Sequence, residues 1–462
     1  MISFVVALIL LIVGFFTYGI LVEKIFGIDS ERKTPALTKT DGVDYVPMSS
    51  WRIFLVQFLN IAGLGPIFGA IMGICFGPAA FLWIVFGTIF AGGVHDYLSG
   101  MMSIRKGGVS LPEIVGDELG TGVKYFMRAL SLVLLILLTT SFLTGPANLL
   151  QGLAELPTMG SGTDTRPIIW VLIIFAYYAL ATVLPVDKLI GRFYPIFGGI
   201  LLFMGLGIMV IMLGWHGGDM PEVFGDNGLA NRHEGDYPLF PMMFVSIACG
   251  AISGFHGTQS PIMARCCTNE RQGRWIFYGA MVAEGILALI WAAAAGTFFA
   301  DGGDGIANLQ SYLGEHSDNP SFVIDIVSRN WLGTVGGILA IIGVIAAPIT
   351  SGDTALRSAR LIVADFLHID QRPKMKRLMI AAPLFLCVFG MVFVDFQIVW
   401  RYFAWTNQTL ACFTLWAGTR WLYKNSKYKY GYLIAAIPAV FMTVVCISYI
   451  LIAPEGFNLH LW

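Results

Sequence analysis

Long apolar runs alternate with short polar segments along almost the whole chain. Twelve of these runs reach about 20 residues, the length at which a helix rising about 1.5 Å per residue crosses a hydrocarbon layer of about 30 Å. The predicted spans are residues 2–22, 53–76, 78–97, 125–147, 167–184, 193–214, 239–264, 275–299, 331–352, 376–394, 398–421 and 431–452. The pattern therefore predicts an all-α polytopic membrane protein.

The first run, ISFVVALILLIVGFFTYGILV, has no basic residue ahead of it and no clear small-x-small cleavage site. A secretory signal that is removed would show both features. We therefore expect residues 2–22 to be a retained helix.

Positive charges are distributed unevenly over the connecting loops. If the amino terminus is external, 24 of the 28 lysine and arginine residues fall on the inner side. Basic residues near membrane-spanning helices favour the cytoplasmic side. The pattern predicts that both termini are external, and the expected location is the bacterial cytoplasmic membrane.

The composition agrees with a lipid environment, since 56% of the residues are hydrophobic and 12% are charged, against roughly 25% charged in soluble proteins. The formal net charge of −1 offers no general attraction to nucleic acid. No C-x-x-C pair and no GxxxxGKS or GxxxxGKT phosphate loop is present. We expect transport driven by ion gradients, with the lipid bilayer and a small molecule as partners, and neither an enzyme activity nor a cofactor.

The stretch NIAGLGPIFGA (60–70) interrupts the second predicted span near its middle. Pro66 lacks an amide hydrogen and would clash with a preceding helical turn. A helix entering at about Arg52 should therefore stop near Gly63 to Gly65 and restart with Pro66 at its first position.

Glycines recur every four residues after this break, at Gly65, Gly69 and Gly73. Such a face of small residues lets a neighbouring helix approach closely.

A second break is predicted in the other half of the chain, at IACGAISGFHGTQSPIMA (247–264). Ser260 and Pro261 have the pattern of an N-cap followed by proline at the first helical position. The unwound link would then contain Ser253, Gly254 and Gly257.

The two interrupted helices lie five spans apart and run in opposite directions, as in transporters built from inverted repeats. Residues 53–214 and 239–421 would form the repeats, with one extra helix at 2–22 and another at 431–452. The alternative is a pair of proline kinks that neighbouring helices stabilise.

The breaks predict a binding site at mid-membrane depth. Free amides at the half-helix starts favour a carboxylate, whereas carbonyls left free at about 62–65 favour a cation. The predicted substrate-binding residues are Gln57, Asn60, Gly63, Gly65, Pro66, Ser253, Gly254, His256, Gln259, Asn407 and Gln408, with Thr258 nearby.

Several titratable or oxygen-bearing side chains are candidates for ion coupling. The predicted residues are Asp96, His256, Glu284, Thr350, Ser351, Asp353 and Thr354. Glu284 lies well inside a span, where an ionised carboxylate is costly, and His256 is either a proton carrier or a structural histidine.

Each of the remaining candidates has an alternative interpretation. His95 and Asp96 form either a proton site or a cap at a membrane end. Ser351 and Thr354 suit Na⁺, while Asp353 and Arg357 are spaced for an ion pair on one helix face. His95, Asp96, His256 and Asp353 are residue types that bind transition metals, although their spacing does not demand a metal, and none is expected.

At these residues the sequence resembles the carbon starvation protein CstA family of bacterial transporters. The likeness rests on QFLNIAGLGP (57–66), AGGVHD (91–96) with SIRKGGVSLPE (103–113), IACGAISGFH (247–256), TSGDTALR (350–357) and FAWTNQTLA (403–411). The matching positions are Gly63, Gly65, Pro66, Asp96, Ser253, Gly254, His256, Asp353, Asn407 and Gln408. The chain departs from the best-known members in being shorter and in reading GTQSPIMARCC after His256.

The resemblance implies a secondary importer of the amino acid-polyamine-organocation superfamily with the LeuT-like inverted-repeat fold. Members are associated with uptake of peptides, and of pyruvate by proton symport, when carbon is scarce. We expect import of a small carboxylate such as pyruvate, coupled to H⁺ or Na⁺. The alternatives are a di- or tripeptide importer and a nutrient sensor without flux.

Overall fold

The computed structural model describes residues 1–154, 156–159, 166–183, 186–225, 228–233, 237–300, 303–316 and 318–459. Within these ranges the regular elements are helices, with one isolated backbone bridge between Met159 and Arg166. The all-α prediction is therefore confirmed.

Eleven α-helices occupy the first half of the described chain. They are α1 (Ile2–Phe16), α2 (Tyr18–Phe26), α3 (Pro35–Thr38), α4 (Ser50–Ile61), α5 (Leu64–Ile74), α6 (Ala80–Phe86), α7 (Gly93–Arg105), α8 (Leu111–Leu119), α9 (Thr121–Leu153), α10 (Ile168–Val183) and α11 (Val186–Trp215).

Nine α-helices follow in the second half of the described chain. They are α12 (Leu239–Ser246), α13 (Ala248–Ala251), α14 (Gly254–Ala264), α15 (Gly279–Phe298), α16 (Gly305–Glu315), α17 (Pro320–Leu367), α18 (Lys374–Met391), α19 (Phe396–Asn425) and α20 (Leu433–Ile452).

Seven helical segments of the described chain are long and apolar enough to cross a membrane, and the bent pair α4–α5 makes an eighth. The other predicted spans coincide with α10, the interrupted series α12–α14, α18 and α19. These helices do not by themselves meet the length and hydropathy expected of a membrane-spanning helix. α10 has only 16 residues, α12–α14 are separate short helices, and α18 and α19 carry charged or amide side chains. A multi-pass membrane protein is thus confirmed, while twelve crossings remain a prediction. Residue 184, the end of the predicted span 167–184, lies outside the described residues.

The enclosed and peripheral helices differ clearly in burial. In the segment that contains α15, 89% of the apolar window is buried, against 33% for α1–α2 and 39% for α20. A helix that is apolar on all sides and enclosed by protein belongs to the centre of a bundle. The two helices predicted as extras therefore lie at the periphery, with much of their apolar surface available to lipid.

The first break lies where the sequence predicts it, with a different first residue. α4 ends at Ile61, α5 begins at Leu64, and the two axes are bent by 49°. The prediction that Pro66 begins the helix is wrong, because Pro66 is the third residue of α5 and Gly63 is the N-cap. Proline is compatible with this position because amides of the first turn have no helical acceptor.

The second break lies earlier than the sequence predicts. α13 ends at Ala251 and α14 begins at Gly254, with Ser253 extended at φ −143° and ψ 127°. The predicted start at Ser260 and Pro261 is wrong, because Pro261 lies inside α14. The Ser260 hydroxyl donates to the His256 carbonyl at 3.0 Å instead of capping a new helix, and the chain stays helical through Gly257.

The predicted small-residue face brings the two broken helices together. Gly65 faces Cys249, and Gly73 faces Ile247. A Cβ atom added to Gly69 would lie 2.6 Å from the Ser246 carbonyl oxygen. The close approach that the glycine spacing predicts is confirmed, and it places both breaks side by side.

Substitution of Gly69 by alanine is expected to destabilise the protein by about 1–3 kcal/mol, the usual effect of overfilling a packed core. The reason is that the added methyl group would meet backbone, which cannot rotate away as a side chain can. The measurement is the melting temperature of the purified protein in detergent.

Gly199 in α11 is the matched control, since an added Cβ there has no heavy atom within 4 Å. Gly199→Ala should leave the melting temperature unchanged or raise it, because alanine is the better helix former. Equal melting temperatures for the two variants would contradict the packing argument.

Candidate functional site

Four titratable side chains meet in the interior beside the second break. His95 Nδ1 lies 2.7 Å from Asp96 Oδ1, His256 Nδ1 lies 3.0 Å from Asp96 Oδ2, and His256 Nε2 lies 3.3 Å from Glu284 Oε2. All four side chains are fully buried. We call this group the histidine–carboxylate cluster, and it joins α7, α14 and α15.

The position of His256 between two carboxyl groups determines how many protons the cluster holds. A neutral imidazole has one N–H and one acceptor nitrogen, whereas a carboxylate only accepts hydrogen bonds. His256 is hydrogen-bonded to Asp96, whereas its approach to Glu284 is a charge contact without hydrogen-bond geometry. Both contacts are attractive only if a second proton is present, on the ring or on one carboxyl group. The cluster thus has room for an exchangeable proton that a single neutral histidine would not carry.

The helices that carry the two carboxylates each follow a π-helical stretch. Residues Gly87–Gly92 precede α7, and Arg274–Tyr278 precede α15. The Tyr278 hydroxyl donates to the Ile89 carbonyl at 2.8 Å, which joins the two stretches. Single π-helical turns widen a helix and occur frequently at functional sites. The sequence patterns did not predict them.

Asn407 of α19 stabilises the second break. Its Oδ1 accepts hydrogen bonds from the Phe255 backbone amide at 2.8 Å and the Ser253 hydroxyl at 3.0 Å. The backbone of Gly254 lies so close to the Asn407 carbonyl that a Cβ would not fit. Asn407 therefore caps α14 from a neighbouring helix, in place of the expected serine cap.

Three buried glutamines have one unpaired oxygen each. Gln57 donates to Ser260 at 3.3 Å, Gln259 to Thr258 and Ser358 at 3.1 and 3.2 Å, and Gln408 to the Ile252 carbonyl at 3.0 Å. Their Oε1 atoms, and both polar side-chain atoms of Asn60, have no hydrogen-bond partner within the described chain. Leaving such a group unpaired costs about 1–3 kcal/mol, so these atoms are candidate ligands for a substrate.

The amide orientations follow from the hydroxyl groups around them. Ser260, Thr258 and Ser358 each donate their own hydroxyl hydrogen to a backbone carbonyl. Each hydroxyl can therefore act towards a glutamine only as an acceptor. The glutamine nitrogens must face these hydroxyls, and the unpaired atoms of Gln57 and Gln259 are acceptors.

Asp353 belongs to a different network from the histidine–carboxylate cluster. The Tyr194 hydroxyl donates to Asp353 Oδ2 at 2.6 Å, and Tyr177 and Tyr194 share a hydrogen bond of 3.1 Å. No ion pair or hydrogen bond between described residues joins Asp353 to His256. Arg357, the sequence-predicted alternative partner of Asp353, contacts Asp44 at 3.4 Å.

The three hydroxyl candidates on α17 bond to backbone carbonyls. Thr350 and Thr354 donate within the helix. Ser351 donates both to Ala347 and, at 3.2 Å, to the Leu59 carbonyl next to the first break. Among these three residues Ser351 reaches the first break, beside Gly63. The expected role of these hydroxyls in Na⁺ coupling stays a prediction.

Sequence patterns missed several partners that complete these networks. Tyr194, Tyr177 and Ser358 carry no motif and are common in apolar spans. The structure alone identifies them, because Tyr194 donates to Asp353, Tyr177 bonds to Tyr194, and Ser358 accepts from Gln259. Within the described ranges, no three His, Cys, Asp or Glu side chains are arranged to hold a metal ion.

Two interrupted helices packed side by side in a multi-pass membrane protein are the arrangement of the LeuT-like fold. The crystal structure of MhsT in complex with L-phenylalanine matches with a TM-score of 0.59 at 16% identity, over 87% of this chain and 99% of that one. A manganese transporter from Eremococcus coleocola matches with a TM-score of 0.56 at 13% identity, over 89% and 90%. At these identities the likeness shows the fold.

This chain belongs to the family described as carbon starvation protein CstA, whose model matches residues 1–158, 149–302 and 319–449. An uncharacterized membrane protein of Haemophilus influenzae is 46% identical over 63% of this chain and 89% of its own length. The peptide transporter CstA of Campylobacter jejuni is 26% identical over 95% and 78%. The pyruvate/proton symporter BtsT of Escherichia coli is 26% identical over 59% and 45%. The relatives from Campylobacter jejuni and Escherichia coli and the structural neighbour from Eremococcus coleocola are all described as transporters or symporters.

Proposed function

We propose that this protein imports a small carboxylate nutrient of the size of pyruvate together with H⁺, across the bacterial cytoplasmic membrane with both termini external. The observation that carries the proposal is His256, fully buried between Asp96 at 3.0 Å and Glu284 at 3.3 Å. The arrangement supports H⁺ as the coupling ion because it holds an exchangeable proton away from water.

Charge balance supports coupling between this proton and an anionic substrate. With one proton beyond the proton of a neutral imidazole, the group formed by Asp96, His256 and Glu284 has a net charge of −1. Losing that proton raises the buried negative charge to −2, which is costly in the interior. A carboxylate bound nearby adds another negative charge and strengthens proton binding. The two ligands therefore favour each other, which is the thermodynamic requirement for symport.

Burial supports a small substrate. Gln57, Asn60, His256 and Gln408 are fully buried, and the side chains around the breaks contact one another directly. Such a site suits a three-carbon acid better than a long chain. The name of the Escherichia coli relative, a pyruvate/proton symporter, pairs the same substrate class with the same ion.

A dipeptide is the second candidate, and the unpaired glutamine oxygens favour it. The Oε1 atoms of Gln57, Gln259 and Gln408 are hydrogen-bond acceptors without a donor in the described chain. An ammonium group or a peptide N–H of the substrate would supply the missing donors. A buried acceptor without a donor is costly. The relative from Campylobacter jejuni is named a peptide transporter, which agrees with this alternative.

The experiment is uptake of labelled pyruvate into proteoliposomes of the purified protein, with H⁺ and Na⁺ gradients imposed separately and excess di- and tripeptides as competitors. We expect accumulation that an inward H⁺ gradient drives and a protonophore abolishes. Accumulation driven by Na⁺ alone would overturn the assignment of the ion. Uptake of a labelled dipeptide without pyruvate uptake would overturn the substrate, and binding without flux would indicate a sensor.

A further inference from the structure

Four buried arginines gather near the predicted cytoplasmic ends of three helices. They are Arg265 after α14, Arg357 and Arg360 of α17, and Arg377 of α18, with exposed fractions of 1–3%. The carboxylate buried among them is Asp44, which is 3% exposed. A second, partly exposed carboxylate, Asp365, lies at the edge with its Oδ2 3.8 Å from Arg265 Nη2. We call these residues the arginine cluster, in which positive charge exceeds negative charge.

Asp44 contacts two arginines through a single oxygen. Its Oδ1 lies 3.4 Å from Arg357 Nη1 and 3.3 Å from Arg360 Nη2. Burial alone would raise the pKa of Asp44, but the charges of Arg360, Arg357 and Arg265 hold that pKa below its usual value. Arg360 Nε and two nitrogens of Arg377 are buried without a hydrogen-bond partner in the described chain. The cluster thus offers more donors than one aspartate uses.

Asp44 lies in a surface loop, residues 41–48, which we call the strap. Asp41 Oδ1 accepts three backbone amides, from Val43, Asp44 and Tyr45, at 2.8–3.0 Å, and this orders the turn. Asp44 is the fully enclosed side chain of this otherwise more accessible segment.

The strap contacts the residues that follow α14, and these in turn contact the turn between α7 and α8. The Tyr45 ring lies 5.0 Å from the Arg265 guanidinium, and the Met48 amide donates to the Cys266 carbonyl at 3.2 Å. Arg265 in turn donates to the Gly108 carbonyl, between α7 and α8, at 2.7 Å. Opening this end of the bundle would separate Asp44 from the arginines.

We propose that the arginine cluster is a second carboxylate-binding site, which receives the acid group of the transported nutrient at the predicted cytoplasmic exit, and that Asp44 is a tethered competitor for it. The inference rests on the proposed function for the identity of the ligand. Guanidinium groups bind carboxylates with short, charge-assisted hydrogen bonds. When Asp44 moves out of the arginine cluster, the buried arginines lose a compensating negative charge. Because unpaired buried charges are costly, binding of another anion is then favoured.

The test uses chemical rescue. Asp44→Ala should lower the melting temperature of the purified full chain, and pyruvate should restore the loss, while the neutral amide of pyruvate should not. Labelled pyruvate should bind to wild type at one molecule per chain and to Asp44→Ala at two. Adding Arg360→Gln should return the number to one and abolish the rescue.

Glu31→Ala is the matched control, an exposed carboxylate in the same loop. It should bind one pyruvate and show no rescue. Asp44→Asn, which keeps the shape of the side chain, replaces Asp44→Ala if the latter does not fold, and the same results are expected. Equal stabilisation of wild type and Asp44→Ala with one bound pyruvate each would overturn the proposal, as would rescue by inorganic phosphate that matches or exceeds rescue by pyruvate.

The same experiment separates this proposal from the proposed function. If wild type binds no pyruvate but Asp44→Ala binds one molecule through Arg360, the proposed substrate of the central site fails and the arginine site stands. If both bind one, the arginine site fails and the proposed function stands. No binding to either chain overturns both.

Discussion

Replacing Glu284 with glutamine is expected to lower proton-driven uptake by about 5- to 150-fold, the range that a coupling free energy of about 1–3 kcal/mol between two sites provides. Glutamine keeps the size of the side chain but presents an N–H to His256 Nε2, which lies 3.3 Å from the present carboxylate. A neutral imidazole then satisfies both neighbours, with its one N–H directed at Asp96. The exchangeable proton is no longer needed, and the gradient loses its effect.

The informative measurement compares two modes of transport in the same vesicles. Net accumulation against a gradient requires a proton to bind and to leave, whereas exchange of internal for external substrate does not. Glu284→Gln should therefore lose accumulation and keep exchange. A variant that lost both would indicate structural damage instead.

Two further variants test this interpretation. Glu284→Asp keeps a titratable group and should retain part of the proton-driven uptake. Glu315→Gln changes an exposed carboxylate at the end of α16 and should behave as wild type. If Glu284→Gln accumulates pyruvate as well as Glu315→Gln does, the histidine–carboxylate cluster is not the coupling site.

Local chemistry predicts where the helices break but not the first residue after each break. The helices are interrupted at Gly63 and just before Gly254, whereas Pro66 and Pro261, where the sequence predicts the helix starts, lie inside α5 and α14. The exact start depends on partners from other helices. Asn407 caps α14 from α19, and no pattern within residues 247–264 contains that information.

The candidate site shows the same limit. Glu284 and His256 are recognisable from sequence because ionisable groups in apolar spans are costly. Their contact with each other depends on the packing of α14 against α15. Asp353 shows the limit from another side, since helix spacing points to Arg357 as a neighbour, but no sequence pattern points to the hydrogen bond that Tyr194 of α11 donates to Asp353.

The two helix breaks and the histidine–carboxylate cluster form one connected unit. His256 lies in the first turn of α14, directly after the Ser253 link that Asn407 holds. A change in the start of α14 would therefore move His256 relative to Asp96 and Glu284. This connection is the route by which we propose that a substrate bound at the break changes the proton affinity of the cluster. Binding at helix breaks near the membrane centre is typical of such inverted-repeat folds.

Asn407→Leu is expected to lower the stability of the protein by about 1–3 kcal/mol, the cost of leaving a buried donor unpaired, and to remove most of the uptake. Leucine has a similarly branched side chain, although a larger one, and accepts no hydrogen bond. The Phe255 amide and the Ser253 hydroxyl, now 2.8 and 3.0 Å from Asn407 Oδ1, would lose their acceptor. The start of α14 would shift, and His256 would leave its position between the two carboxyl groups. Melting temperature and proton-driven uptake are measured together.

Asn407→Asp and Asn425→Ala identify which property of Asn407 matters. Aspartate keeps an acceptor for both donors, loses the weak donation to Cys249 at 3.5 Å and adds a buried carboxyl group that is costly when ionised. At a pH low enough to protonate this carboxyl group, it should melt closer to wild type than Asn407→Leu does. Asn425 lies on the same helix, is exposed and donates to the Trp421 carbonyl. Its replacement by alanine should change neither quantity. If Asn407→Leu melts and transports as Asn425→Ala does, the cap does not hold the break, and the coupling of substrate to proton through α14 must be abandoned.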